Sequence, residues 1–477
     1  MLEPEQAEAA LAAGLTQIRN NSRPYSLYRG YYRGDHPQVW LTERLRDMFS
    51  QHPEFVDKIG VENWCGVVVD TPVKRLSVKG FSTQAAASEA NQAESFWNTL
   101  SLDRDETTLY GDVLTVGAGY LVAFNGDNGI EVDINEPEVI AWGPQRRASQ
   151  PPAWASKIWP DTEAGTWRGT VWDDTRIWRY IGPRLSRSGG HTLPDSINGF
   201  VLDSEDEGGA HGFDRVPVQR FDLGRNAVPI LETIRRPQDR LNKLMANKMV
   251  AAEFAAFRQR YFLTGQPLED GYLETGPDRA IVLHPGPADG QKTQVGEFDA
   301  TPLANYDEAI DRERDSIFSL ASLPRHLNVA KSGAGTSGDA FKAAEGPFIE
   351  FLQSIQRQLG ACWADFFELL GLDVEVEWVN AETRDTSSES QAVKTLVDAG
   401  VPLELALKTV AGWEPEQLEE LVRIREEQKA EGEMDRVLGQ LSGLGKAGSL
   451  GALDPDTVRA TAHSLLGINQ PGAPSEA

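Results

Sequence analysis

Three features of the sequence predict an α+β fold. Apolar residues recur at helical spacing near the N-terminus, alternate with polar ones from about residue 110, and return to helical spacing after about residue 229. Residues 5–20 and 41–50 read as short amphipathic helices. Leu11, Leu15 and Ile18 share one face of the first, and Leu41, Leu45, Met48 and Phe49 one face of the second. Between them runs an aromatic, basic patch, Arg23, Tyr25, Tyr28, Arg29, Tyr31, Tyr32 and Arg33. Its composition is that of a single-stranded nucleic-acid platform. In an otherwise acidic chain, tyrosines so spaced are expected instead to anchor a helix to a core.

The alternating stretch Tyr120–Phe124, the turn pair Asn125-Gly126 and Ile130–Ile134 predict a hairpin. Further strands are expected at 139–142, 154–159, 169–172 and 176–181, the last two joined across Asp173-Asp174. Residues 183–212, dense in Gly, Ser and Asp, predict a mobile loop. A helix follows to about residue 257 on Leu241, Leu244, Met245 and Met249. Residues 258–299 break it with short β pieces at Arg260–Leu263 and Ala280–Leu283, and a second helix spans Leu303–Leu320, roughly 27 Å at the α-helical rise. After the glycine-rich loop Asn328–Gly338, a long helix begins near Asp339, with an apolar stripe from Phe348 through Trp363 to Leu370. One strand, 374–379, precedes C-terminal helices, which break at Ala399-Gly400-Val401-Pro402, with Gly as the left-handed cap and Pro in the next first turn. The Gly-, Ala- and Pro-rich tail from about residue 431 is expected to fray.

The chain has 477 residues, enough for about three domains. Its 46 Lys and Arg against 72 Asp and Glu leave a net charge of −26, which excludes gripping nucleic acid by counterion release over the general surface. The 40% hydrophobic content, with 12 Trp and 18 Phe, is that of a folded chain. Cys65 and Cys362 form no C-x-x-C pair and read as reduced, buried thiols. The opening residues MLEPEQAEAALAAGL have neither a basic start nor a long apolar stretch, so no secretory signal is expected. No apolar run is long enough to span a bilayer.

Signatures of chemistry are sparse. Gly333-Ala-Gly335-Thr-Ser-Gly338 has the letters of a dinucleotide fingerprint, but Pro324-Arg-His-Leu-Asn328 precedes it instead of a buried strand, and no βαβ alternation surrounds it. Lys446 follows a glycine but lacks the Ser or Thr of a P-loop. The seven histidines make no short ligand pair, and no G-x-S-x-G elbow is present. No catalytic residue, metal or cofactor is therefore expected. Asp307, Glu308, Asp311, Glu313 and Asp315 crowd one helix and read as a solvated face. The competing reading is a phosphate- or nucleotide-binding enzyme built on the Gly333–Gly338 loop, which nucleotide-dependent thermal stabilisation would favour. A third is a monomeric DNA-binding adaptor resting on Arg23–Arg33, which predicts tight, salt-sensitive binding to free DNA.

Four segments occur in a characteristic order: Gly119-Tyr-Leu-Val with Asn135-Glu-Pro137-Glu-Val-Ile140; the helix, β insert and helix over 230–322; Lys331–Lys342 with Ser337-Gly338-Asp-Ala-Phe-Lys342; and Leu396-Val-Asp-Ala-Gly400-Val-Pro402. In that order they resemble the portal (head-to-tail connector) proteins of tailed bacteriophages, siphophage type. The likeness spans about residues 25–430, and neither the 183–212 loop nor the tail beyond 431 has a counterpart in it.

The resemblance implies a wing over 1–228, stem helices at 229–258 and 301–323 around a clip at 259–300, a channel loop, long helix and wing strand over 324–380, and a helical crown with a flexible tail over 381–477. It implies a homo-oligomeric ring of about twelve subunits at one capsid vertex, assembled in the host cytoplasm. Double-stranded DNA would be packaged and ejected through it. Major capsid and scaffolding proteins, the terminase large subunit and head–tail adaptor proteins would be its partners, with no membrane and no enzymatic activity. Roughly twelve copies of −26 would give a ring of about −310, along which DNA slides without sticking. Asn328, Lys331, Ser332, Gly333, Gly335, Thr336, Ser337 and Gly338 would line the channel, with Lys331, and less so Lys342, as a sparse positive ring.

Overall fold

The computed structural model describes residues 2–36, 61–84, 87–126, 129–145, 150–186, 192–203, 209–224, 228–256, 260–263, 281–283, 294–297, 299, 302–324, 338–381, 386–410, 413 and 418–424. The chain divides into two compact units, 1–382 and 383–477. Among the described residues helices and sheets are mixed, in keeping with the expected α+β class.

Helix α1 (Pro4–Arg33) is continuous through the aromatic patch, where the sequence predicted a helix ending near residue 20. A proline inside a helix, here Pro24, costs about 3 kcal/mol in isolation. Tertiary anchors in the following turns offset that cost. The Tyr28 hydroxyl donates to Glu232 (3.0 Å), Tyr31 to Asp239 (2.8 Å) and Tyr32 to Asp70 (2.9 Å). Arg29 pairs with Asp112 and Glu138. The tyrosines thus anchor the helix, as expected. The predicted helix 41–50 lies outside the described residues.

Helices α2 (Trp64–Val73), α3 (Ala87–Thr99) and α4 (Leu102–Val116) follow, with strand β1 (Val78–Ser82) between the first two. The switch to period two therefore comes at residue 119, after α4. Strands β2 (Gly119–Gly126) and β3 (Gly129–Asn135) form the predicted hairpin. Asn125 and Gly126, expected at the turn, instead pair with Ile130 and Gly129 inside the ladder. Strand β4 is Ile140–Trp142, β5 Ala155–Asp161, β6 Thr166–Trp172 and β7 Arg176–Arg184. Asp173 closes the β6–β7 turn as the Asp-Asp pair predicted. Its carboxylate accepts from the Thr175 and Arg176 amides (both 2.8 Å) and from the Leu2 amide (2.6 Å). Burial pushes the Asp173 carboxyl up, but these three amides outweigh it and hold the group below its ordinary value.

Part of the expected mobile loop is built into the sheet. Strands β8 (Val201–Leu202) and β9 (Gly209–Ala210) both pair with β7, and Leu193, Ile197 and Phe200 pack on the core beneath. Strand β10 (Val218–Phe221) joins β2 and β3 in a three-stranded sheet, and β4 to β8 form a six-stranded sheet in sequence order, with β9 also on β7. One face of the larger sheet receives α1 through Leu11, Leu15 and Ile18 against Ile158, Val171 and Trp178. The approach is close at Gly14, where a Cβ would lie 2.0 Å from the Ser156 hydroxyl. The other face meets the three-stranded sheet through Tyr120, Val122, Ala155, Trp172 and Val218.

Two long helices, α5 (Ile230–Ala256) and α6 (Ala304–Leu320), flank β11 (Arg260–Leu263), β12 (Ile281–Leu283) and β13 (Gln294–Glu297). The sequence anticipated the first two strands; β13, which pairs antiparallel with β11, it did not. Helix α7 (Gly338–Leu369) carries the predicted stripe into the largest core. Trp363 is fully buried there, its ring 4.7 Å from Phe221 and 4.9 Å from Trp97, and its indole N–H donates to the Tyr110 hydroxyl (2.8 Å). Tyr110 in turn donates to Glu106, which also accepts from Ser77 and the Val78 amide and so ties β1 to α4. Strand β14 (Glu375–Trp378) pairs antiparallel with β1.

In the second unit, α8 (Thr386–Asp398) and α9 (Leu403–Val410) are separated at Gly400, whose φ of 90° is the predicted left-handed cap. The Val401 amide donates to the Leu396 carbonyl (3.0 Å), closing the helix end. Pro402 stands one residue before α9 instead of in its first turn, and its carbonyl accepts from Ala406. The tail beyond 431 lies outside the described residues.

Candidate functional site

The antiparallel pair α5–α6 is the element on which the expected site depends, since its second helix leads into residues 325–337. Apolar residues Leu231, Ile234 and Leu241 of α5 and Ile310, Ile317 and Phe318 of α6 belong to the largest core. The Phe318 ring meets Trp64 edge-on at 5.1 Å.

Polar side chains run through this core. Gln238 and Asn242, one turn apart on α5, are 0% and 1% exposed. Gln238 accepts from the Trp64 amide (3.0 Å) and donates to the Glu62 carbonyl and to Asn242 Oδ1 (3.0 Å). Asn242 Oδ1 also accepts from the Glu62 amide (3.2 Å), so its oxygen is committed to two donors. Its amide nitrogen therefore donates to His36 Nδ1 (2.7 Å), which leaves His36 Nε2 to donate to the Tyr31 carbonyl (3.2 Å). Only neutral His36 satisfies this chain. Burial lowers the pKa of His36, against the Tyr31 carbonyl and the Asp239 charge, which favour the proton. The Glu62 carboxylate receives Arg314 through two bonds of 3.1 and 2.7 Å. Burial pulls the Arg314 guanidinium down, but Glu62 and Asp311 outweigh it and hold it fully charged.

The exposed side of the pair is joined by charge. Arg240 binds Glu313 through two bonds of 3.0 and 2.9 Å, Lys248 pairs with Asp307, and Glu308 with Arg312 (3.6 Å). The acidic face of α6 is thus not merely solvated, because two of its carboxylates bridge to the neighbouring helix. Sequence reasoning missed the buried network because its members come from four segments. The legible signal was Gln238 and Asn242 at i, i+4 inside an apolar stripe.

Of the expected channel residues, Asn328, Lys331, Ser332, Gly333, Gly335, Thr336 and Ser337 lie outside the described residues, as does the rest of the fingerprint-like loop before Gly338, which begins α7. Both flanks of the segment are anchored. On one side Leu323 is 5% exposed and its amide donates to the Phe318 carbonyl (2.9 Å). On the other, Glu345 is 5% exposed and pairs with Arg75 (3.3 Å).

Burial pushes the thiols of Cys65 and Cys362 up to about 12, so both are protonated at neutral pH, and they form no disulfide. Among the described residues no cluster of His, Cys, Asp or Glu is placed to hold a metal ion, and no helix is long and apolar enough to cross a membrane.

Residues 17–434 match the family described as phage portal protein, SPP1 Gp6-like. The "Portal protein" of Mycobacterium phage D29 is 23% identical over 431 residues, covering 81% of each chain. That of Mycobacterium phage L5 is 23% identical over 425 residues, again with 81% of each chain covered. A solved structure described as "Neck of empty GTA particle computed with C6 symmetry" aligns at 14% identity and a TM-score of 0.39, over 76% of this chain and 93% of that one, a likeness too weak to bear on the fold. The match to the family model takes in both long helices, the strands between them and α7, and by it the chain belongs to the phage portal protein family, SPP1 Gp6-like.

Proposed function

We propose that the chain assembles as a ring of about twelve subunits at one capsid vertex, and that double-stranded DNA enters and leaves through its bore. The family match over 17–434 carries this reading, with α5, β11–β13 and α6 in the helix, β insert and helix order of a stem, clip and stem. In this assignment 1–228 is the wing, 229–258 and 301–323 the stem helices, 259–300 the clip, 324–380 the channel loop, long helix and wing strand, and 381–477 the crown. The ring docks the terminase large subunit during packaging and the head–tail adaptors afterwards, within a shell of major capsid and scaffolding proteins. Its role is mechanical, without intrinsic hydrolysis. Electron microscopy and mass measurement of the purified protein are expected to show rings; a 52 kDa species alone across micromolar concentrations would overturn the proposal.

Residues Asn328–Gly338 are assigned to the bore. Anchored flanks support this, because a segment held at Leu323 and Glu345 can present its glycines and hydroxyls without contributing to the fold. Glycines allow close approach of backbones, and Ser332, Thr336 and Ser337 offer neutral hydrogen bonds to passing phosphates. Bulky residues at Gly333 and Gly335, or Lys331→Glu, are expected to leave rings intact and impair DNA packaging or retention. Normal packaging by these variants would remove the loop from the bore while leaving the portal assignment standing.

A further inference from the structure

The six-stranded sheet turns one face to α1, and part of its opposite face borders a cleft among the described residues. Lys157 on β5 stands opposite Thr170 on β6, which stands opposite Arg179 on β7, so the three form one row across three strands. Two residues along on β5, and therefore on the same face, lies Trp159, with the Lys157 ammonium 4.9 Å from its ring centroid. At the other end of this face Trp172 is buried against the three-stranded sheet. The result is a cleft of about 570 Å³ between the two sheets, floored by this row and walled by the two tryptophans, with Asp133 of β3 on its far side.

Lys157 is half-buried, yet no carboxylate among the described residues lies within ion-pair distance of it. Burial lowers its pKa, and Asp133, the nearest acidic influence, only partly restores it. A half-buried cation with a ring beside it and no counter-ion among the described residues has room for one more partner. This occurs in a chain with 72 acidic residues against 46 basic ones, where carboxylates are plentiful.

We propose that this cleft seats one carboxylate of an acidic peptide segment of a partner protein, with Lys157 as its counter-ion and Trp159 and Trp172 packing the apolar residue beside it. The chemistry selects against a nucleic-acid strand. A polyanion needs a continuous basic track, whereas the cleft's described lining offers only Lys157 and Arg179, with the Asp133 carboxylate beside them. The volume is in the range that holds a few side chains. The inference is independent of the ring and channel assignments.

The test is fluorescence anisotropy of dye-labelled acetyl-Leu-Glu-Leu-amide and acetyl-Leu-Gln-Leu-amide on the full-length protein in about 0.1 M salt. The Glu peptide is expected to bind saturably, and the Gln peptide at least about tenfold more weakly. Lys157→Met, which keeps the apolar stem on Trp159, is expected to abolish that difference, and Lys157→Arg to retain it. The proposal is overturned if the Glu peptide does not bind saturably, if both peptides bind alike to the unmodified protein, or if Lys157→Met binds as the parent does. Displacement of the Glu peptide by inorganic phosphate at equal concentration would assign the cleft to a free anion and overturn the peptide.

Discussion

The two sides of the α5–α6 pair are joined by different forces. On the buried side, Phe318 and Ile317 pack with Leu231, Ile234 and Leu241, and Gln238 and Asn242 have their hydrogen bonds met by neighbouring segments. On the exposed side, the helices are linked by Arg240–Glu313 and Lys248–Asp307, with Arg240 56% exposed. Apolar burial and satisfied uncharged hydrogen bonds are insensitive to salt, whereas exposed ion pairs contribute little and are screened. The pair therefore has a fixed inner seam and an outer seam that responds to ionic conditions.

Removing the inner seam's largest side chain should break this contrast most severely. Phe318→Ala deletes a ring that is 1% exposed and touches Trp64, and a loss of about 3–5 kcal/mol is expected in denaturant unfolding. A loss below about 1 kcal/mol would mean that the inner seam relaxes as easily as the outer one.

Mild acid should act on the inner seam through His36. His36 is held neutral because Asn242 points its amide nitrogen at Nδ1, and its pKa lies below the ordinary 6.5. The unfolded chain thus binds a proton before the folded one does, so stability falls as pH drops below about 6.5 and levels off under the folded value. Asp239 and Asp35, the acidic groups that favour protonation, limit the effect. Unfolding midpoints at pH 7.5 and 5.5 are expected to differ more in the parent than in His36→Gln, which can still accept from Asn242. Equal pH shifts in both would show that His36 takes up its proton without penalty.

The smallest effect is expected on the outer seam. Arg240→Ala should cost less than about 1 kcal/mol, and the difference from the parent should vanish near 1 M salt, where the screening length is about 3 Å. A salt-independent loss would place that pair with the inner seam.

Local chemistry made much of the fold legible. Alternation located β2, β3 and β5 to β7, Asp173 located a turn, and Gly400 a helix end. Where the reading failed, the deciding contact was distant. The Arg23–Arg33 patch reads locally as lying between two helices, and α1 runs through it, Pro24 included, because its anchors lie far along the chain on Asp70, Asp112 and Asp239. Strand β1 has a weak local pattern and is a strand because Val78 to Ser82 pair with Glu375 to Trp378.

By itself, then, the sequence determined the helices and strands whose stabilising interactions are local: apolar stripes, alternation and turn residues act within a few positions along the chain. It also determined the resemblance to the portal family, through the order of four segments over about residues 25–430, and the family match over 17–434 bears that out. The tertiary structure alone decided which polar residues are buried. Gln238, Asn242, Glu62 and His36 satisfy one another only after separate segments meet on α5, and Lys157 lies without a counter-ion among the described residues only after two sheets close around it. A hydrogen bond or a missing ion pair between segments depends on distances in space, which the folded chain sets and the order of residues does not express.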